Sequence, residues 1–356
     1  MSSKLTRVII VLLLLAAVCE GFAISQLYTS NVNYSTEMSA LQAQLSGPRG
    51  SLYPMTVVDD LNRTVTITHE PQRIVSLEPS DTQIVFTIGQ GEKVVGATSW
   101  DHWPTLLTNS IASDEVATVG GVLSSSISVE TVIGLNPDLV LAGSLNEEGQ
   151  IIQQLTSAGI PVLVLAPQTM GMIYNDVLLV GKVVNAYKNA TSVVNDMHIV
   201  VNYVSAKVKD AQRLSVFYEV WNNPLMTAAP TSFIGQLITL AGGSNLFSNA
   251  TGQYPTVNPE AVVSLNPQII ITTNEFNMTA EQVAKQPGFQ ITDAAQAKRV
   301  YVLSDPDLIQ QPSPRLVEGL LFLAKLIHPD LFNNTTITIL NDFNGQFNDT
   351  SLSQFS

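Results

Sequence analysis

Ser128-Val-Glu130-Thr-Val-Ile-Gly-Leu-Asn136-Pro137-Asp-Leu-Val-Leu decides the fold, because the chain repeats it as Asn258-Pro-Glu260-Ala-Val-Val-Ser-Leu-Asn266-Pro267-Gln-Ile-Ile-Ile. Each copy reads as a short helix, an Asn-Pro turn that ends it, and a buried apolar strand. Chance does not readily supply a match of this length with the same Glu and the same Leu-Asn-Pro. The copies lie 130 residues apart and imply two lobes of one ancestry.

Outward from the first copy, Arg73-Ile-Val-Ser-Leu77 reads as a strand, and Ser80-Asp-Thr-Gln83 opens a helix with a capping-box pattern. That helix runs over 84–88 and stops at Gly89, with further strands over 93–98, 138–142 and 161–165. Around the second copy, strands are expected over 215–220, 268–272 and 299–303. A helix over 232–241 is ended by Gly242-Gly243, and a closing helix spans 314–327. Strands alternating with helices, each strand almost wholly apolar, mean parallel α/β sheets. Between the copies, apolar residues from Ile173 to Val208 recur at steps of three and four. Asn185 suits a left-handed helix end there. The second piece, over 187–211, spans roughly 35–40 Å at the helical rise and works as a stiff strut. The expected fold is therefore α/β, two Rossmann-like three-layer lobes joined by a long rigid helix.

This divides the chain into a signal peptide or anchor over 1–27, a polar tether over 28–55 and a first lobe over 56–170. Connecting helices follow over 171–211, a second lobe over 212–330 and a polar tail over 331–356. At the N-terminus, Lys4 and Arg7 precede an apolar run from Val8 to Val18. Three fates are open: cleavage after Gly21-Phe22-Ala23, lipidation of Cys19, or retention as an anchor. The Ser/Thr/Asn/Gln-rich spacer that follows favours an anchor. Asn33, Asn62, Asn189, Asn249, Asn277, Asn333, Asn334 and Asn348 each begin an Asn-x-Ser/Thr triplet, which fits an extracytoplasmic location on the outer face of the membrane. The net charge of −13 argues against nucleic acid. Cys19 is the sole cysteine, so the mature fold rests on its core without disulfides.

The segments Pro71-Gln-Arg-Ile-Val-Ser-Leu-Glu-Pro-Ser80, Val119-Gly-Gly121, Trp221-Asn-Asn-Pro-Leu-Met-Thr227, Leu240-Ala-Gly-Gly243 and Pro312-Ser-Pro-Arg-Leu-Val-Glu-Gly319 resemble the helical-backbone metal-receptor family. These are the class III solute-binding proteins of cobalamin, ferric-siderophore and haem importers. Phe217 to Thr227 looks most like the cobalamin-binding branch. The resemblance implies an ABC permease dimer and its ATPase subunits as partners. It also implies a monomer, with a metal chelate as cargo and no cofactor of the protein's own. That cargo is a corrinoid, or alternatively a ferric siderophore or haem. It further implies that Glu130 and Glu260, one at the tip of each lobe, dock onto permease arginines. Their other reading is that each merely suits the first turn of its helix.

Ligands of open parallel sheets sit beyond the carboxyl ends of the strands. That rule collects Glu78, the cluster Trp100-Asp-His102-Trp103, Gly120-Gly121, Gly143-Ser144, Glu219, Trp221, Tyr254, Asn274-Glu275 and the loop from Asp305 to Arg315. Flat aromatic faces suit a macrocycle, and Tyr254 and Arg315 fall where the resemblance places ligand-proximal residues. Arg315 could instead pair with Asp305 or Asp307. Glu78 and Glu219 are expected behind the residues that touch the ligand. His102 could ligate a metal or simply be a solvated loop residue. The histidines are too scattered for a bare-metal site. No phosphate loop, nucleophile elbow or cysteine cluster is present, so no catalytic residue is assigned. A chelatase-like enzyme and a structural surface protein are the rival classes.

Overall fold

The computed structural model describes residues 52–121, 124–143, 150–274 and 277–333. The signal segment, the tether, Cys19, Asn33, Ser144, Glu275, Asn334, Asn348 and the tail beyond 333 lie outside the described residues. Tyr53 onward belongs to a single unit.

A hairpin that the sequence pattern did not announce comes first, β1 (Met55–Val58) and β2 (Thr64–Ile67). Val65 and Ile67 point inward while their neighbours face solvent, the period-two pattern of a half-buried strand. The first lobe then alternates β3 (Ile74–Ser76), α1 (Pro79–Thr87), β4 (Val94–Ala97), α2 (Thr105–Ala112), β5 (Ala117–Thr118), α3 (Val129–Gly134), β6 (Leu139–Ala142), α4 (Gln150–Ser157) and β7 (Val162–Val164). All five sheet strands are parallel, in the order β5-β4-β3-β6-β7. The hairpin turn covers the β7 edge. Asp60 N–H donates to the Val164 carbonyl at 3.1 Å, and Arg63 Nη2 donates to the Val162 carbonyl at 3.0 Å.

Two helices connect the lobes, α5 (Met170–Val183) and α6 (Tyr187–Val208). Asn185 takes the expected left-handed conformation between them, φ 61°. The helices approach so closely that a Cβ on Gly181 would lie 2.3 Å from the Ala190 Cβ, which requires glycine there. The strut has 22 residues, about 33 Å at 1.5 Å per residue. It ends at Val208, three residues earlier than the apolar spacing suggested.

The second lobe runs β8 (Leu214–Asn222), β9 (Leu225–Thr227), α7 (Phe233–Leu240), β10 (Gly243–Asn245), α8 (Pro259–Leu265), β11 (Ile269–Thr273), α9 (Ala280–Ala284), α10 (Asp293–Gln296), β12 (Val300–Leu303), α11 (Asp307–Gln310) and α12 (Leu316–Ile327). Its parallel order is β10-β8-β11-β12, with β9 antiparallel on β8. In both lobes the first parallel strand lies inside the sheet. The chain winds outward to one side, then returns to wind the other way. The crossing points, β3/β6 and β8/β11, are the topological switch points where such sheets bind ligands.

The sequence repeat is a structural repeat in detail. Ser128 Oγ accepts from Thr131 N–H at the start of α3, and Asn258 Oδ1 from Glu260 N–H at the start of α8. Asn136 and Asn266 both adopt φ 48°, left-handed, ending their helices before proline. Val132 and Val262, equivalent positions, are fully buried in the cores of their lobes. The next residues tie each copy to its lobe's first strand. Asp138 accepts from the backbone of Gln72 and Arg73, while Gln268 exchanges hydrogen bonds with Ser215.

One expectation is corrected. The Ser80–Gln83 capping box does not form, because α1 begins at Pro79, which suits a first helical position. Gln83 is already inside the helix, and its Oε1 accepts instead from the Ser313 hydroxyl of the other lobe.

Candidate functional site

A cavity of about 470 Å³ is walled by residues that leave the carboxyl ends of strands in both lobes. Glu78 and Ser80 follow β3, and Leu165, Ala166, Pro167 and Gln168 follow β7. The second lobe contributes Val220 and Trp221 from β8, Phe233 and Ile234 from α7, Gln253, Tyr254, and the Gln310-Gln311-Pro312 loop. Phe233 and Tyr254 meet edge-to-face, ring centroids 6.5 Å apart, which fixes both rings. Trp221 is held by its indole N–H, which donates to the Asn223 carbonyl at 2.9 Å, and leaves nearly half its surface open. Gln253 Nε2 donates to Gln168 Oε1 at 3.3 Å, joining segments of the two lobes.

The residues singled out in the sequence separate into three groups. Trp221 and Tyr254 line the cavity. Trp103, Arg315 and Glu219 are buried and do not appear in the wall. The Arg315 guanidinium lies 5.1 Å from the Trp103 ring centroid and pairs with Asp305 at 3.0 Å and Glu318 at 3.6 Å. Trp103 and Arg315 therefore hold the first lobe's loop against the second lobe's helix start. Glu219 accepts from Gln286 Nε2 at 3.0 Å, and burial raises its pKa. The third group is exposed: Trp100, 54% open, and His102, neither in the wall. Asp101 between them turns inward, accepting from the Thr98 amide and hydroxyl, which splits the Trp100–Trp103 cluster between surface and core.

Glu78, expected behind the lining, is part of it. Of the four glutamines in the wall, Gln310 and Gln311 fall in the loop expected there, whereas Gln168 and Gln253 were not anticipated. The strand-end rule reaches Gln168 three residues past Leu165, but glutamine carries no distinctive signal in a chain this rich in amides. Glu130 and Glu260 are exposed at the same position in the first turns of α3 and α8. Of the sequons, Asn62, Asn189, Asn249, Asn277 and Asn333 are exposed, although the Asn189 side chain also donates to the Ile88 carbonyl at 3.0 Å. No group of three or more metal-ligating side chains occurs among the described residues. No helix among them is long and apolar enough to cross a membrane.

Twin doubly wound lobes, a strut helix and an aromatic cavity at the switch points define a solute-binding protein. The periplasmic binding protein family matches residues 74–306, and the chain belongs to it. An uncharacterized ABC transporter substrate-binding lipoprotein of Bacillus subtilis, YvrC, is 36% identical over 288 residues, 79% of this chain and 88% of that protein. A cobalamin-binding protein of Halobacterium salinarum is 30% identical, over 81% of this chain and 77% of that one. The periplasmic vitamin B12 binding protein BtuF of Vibrio cholerae shares the fold. Its TM-score is 0.61 at 22% identity, over 72% of this chain and 96% of that one. Proteins of this class work with the permease and ATPase components of ABC transporters, and the relatives are named as binding proteins rather than enzymes.

Proposed function

We propose that the chain captures a corrinoid between its lobes outside the cytoplasmic membrane and hands it to an ABC permease. The observation that carries this reading is the lining: three aromatic rings and four glutamine carboxamides, without a lysine or arginine among the described wall residues. Aromatic faces grip a flat macrocycle by area. Carboxamides pair with the amide-bearing edge of a corrinoid, each side donating and accepting. Haem carries two carboxylates and most ferric catecholates are anionic, so they call for basic partners. Arg315, three residues beyond the wall residue Pro312, is buried and paired with acids. The cobalamin-binding relative of Halobacterium salinarum supports the same ligand class.

Glu130 and Glu260 are the docking carboxylates of this reading. Two exposed acids, at equivalent positions on repeated helices, suit a partner with two-fold symmetry. Their helix-start positions are also favourable in isolation, so transport must separate the roles. The N-terminal segment with Cys19 serves as the tether to the membrane, and the exposed sequons face outward.

Titration with cyanocobalamin, haem and ferric siderophores, read by tryptophan quenching, tests the ligand. Trp221 in the wall should report corrinoid binding as a large loss of emission. Tight binding of a siderophore or haem with no response to any corrinoid rejects the assignment and leaves the family untouched.

A further inference from the structure

Glu78 is the one carboxyl among the described residues of the cavity wall. It is 8% exposed, and its Oε2 has no hydrogen-bond partner among the described residues. Its place is built: it sits at the switch point beyond β3, and a Cβ on Gly143 would fall 2.5 Å from its Cγ and 2.6 Å from its Oε2. Gly143, beyond the neighbouring strand β6, leaves the space that the carboxyl occupies.

No ion pair among the described residues reaches this side chain. The titratable groups facing it are themselves acids. Asp101 comes from the loop after β4 and Asp81 from the first turn of α1, and Asp60 and α5's Asp176 in turn act on Asp81 or are acted on by it. Burial, then the charge of Asp101, pushes the Glu78 carboxyl up to about 8. A buried acid among acids resolves the conflict by keeping its proton. A protonated carboxyl has an O–H to give, and a buried polar atom left unpaired carries its desolvation cost until something satisfies it.

We propose that Glu78 sets the charge specificity of the cleft. As a neutral acid it donates a hydrogen bond to an uncharged carbonyl oxygen on the bound chelate, and it turns away ligands that present a carboxylate there. The inference rests on the receptor reading above and deepens it. A ligand carboxylate at this point would set a negative charge in a buried wall beside Asp101, with no counter-ion among the described residues. A ligand amide brings the missing acceptor. Once Glu78 ionises, the donor is lost and the site repels the same oxygen it attracted.

The test compares the full chain with its E78Q and E78A variants at pH 6 and pH 9, using cyanocobalamin and haem as probes. The native chain should lose about tenfold in cyanocobalamin affinity from pH 6 to pH 9. E78Q, shaped alike and always neutral, should show no such change and should stay within about threefold of the native affinity at pH 6. E78A should be pH-independent and weaker by roughly 3–10-fold, the worth of one neutral hydrogen bond. At pH 9, E78Q should bind haem about tenfold more tightly than the native chain. Equal pH profiles for the native chain and E78Q overturn the proposal. If no variant binds cyanocobalamin, the corrinoid reading fails by itself and the haem arm decides: a gain in E78Q supports the role of Glu78, and equal binding rejects it. A ligand-free readout stands beside these. Carbon NMR of the Glu78 carboxyl should show it protonated at pH 6, and an ionised group there overturns the proposal even if neither probe binds.

Discussion

The two lobes carry one design, a parallel sheet wound both ways from an inner first strand, yet they bring different chemistry to the cavity. The first lobe places carboxyls at and near its switch point: Glu78 in the wall and Asp81 and Asp101 buried, with Asp176 of the connecting helix α5 buried as well. The second lobe supplies the rings of Trp221, Phe233 and Tyr254 and three of the four glutamines. Its own switch-point acid, Glu219, is fully buried and accepts from Gln286. The repeat thus conserves what folds each lobe, its caps, left-handed asparagines and buried valines. It leaves the strand ends free to diverge, because a residue beyond the sheet affects the ligand more than the core. A duplicated scaffold thereby yields one wall that carries a carboxyl and one that carries the aromatic rings.

The tips are where the lobes remain alike, and breaking that likeness should have the largest effect. Reversing both Glu130 and Glu260 to Arg should abolish uptake in cells while ligand affinity stays unchanged. Each single reversal should leave partial transport. Full uptake by the double variant would reduce both residues to helix-start acids.

The acid-rich first lobe should show itself in a pH profile of stability. Glu78 and Asp101 have folded-state pKa values pushed up to about 8 and about 6 by burial. In the unfolded chain they titrate near 4. Between those limits the folded state holds protons that the unfolded state has released, so stability falls as pH rises. The loss is absent below about pH 4, grows through pH 6, and is complete for Glu78 above about pH 8. Calorimetric melting should therefore give a higher Tm at pH 5 than at pH 8, reflecting a loss of stability on the order of a few kcal/mol. E78Q should flatten the profile above pH 6. A Tm that rises steadily from pH 5 to pH 8 contradicts the protonated first-lobe interior.

Two tryptophans sharpen the contrast between wall and clamp. Trp221→Ala should cost about 10–100-fold in ligand affinity with little change in Tm, since the ring is half open on the cavity. Trp103→Ala should do the reverse. It removes a buried ring beside the Arg315 guanidinium and should cost about 3 kcal/mol or more in denaturant unfolding. The smallest effect is expected at the repeated turns. Asn136→Ala and Asn266→Ala should each destabilise by about 1 kcal/mol, because alanine pays for the left-handed conformation that asparagine tolerates. Nearly equal losses at the two sites would show that the lobes share this turn energetically as well as in shape.

Much of this architecture was legible from residue order because it rests on local rules. Asn136-Pro137 and Asn266-Pro267 stop a helix whatever surrounds them, and an apolar run such as Ile269–Thr273 is buried in any parallel sheet. The three-and-four spacing from Ile173 to Val208 gave both connecting helices, with an error only at the far end. The opening hairpin escaped notice because its strands have four residues each and alternate too briefly to stand out. Gln83 looked like a capping residue until Pro79 claimed the helix start.

The repeat and its flanking strands therefore determined the two-lobed fold, since each signal needs only neighbours along the chain. Only the tertiary structure decided which tryptophan lines the cavity, because Trp100, Trp103 and Trp221 share a residue type and differ in what packs on them. It also brought Gln168 and Gln253, 85 residues apart, to one cavity wall. And it turned Glu78 from an ordinary acid before a proline into a buried carboxyl whose Oε2 has no partner among the described residues, since protonation is set by the groups that surround a side chain in space.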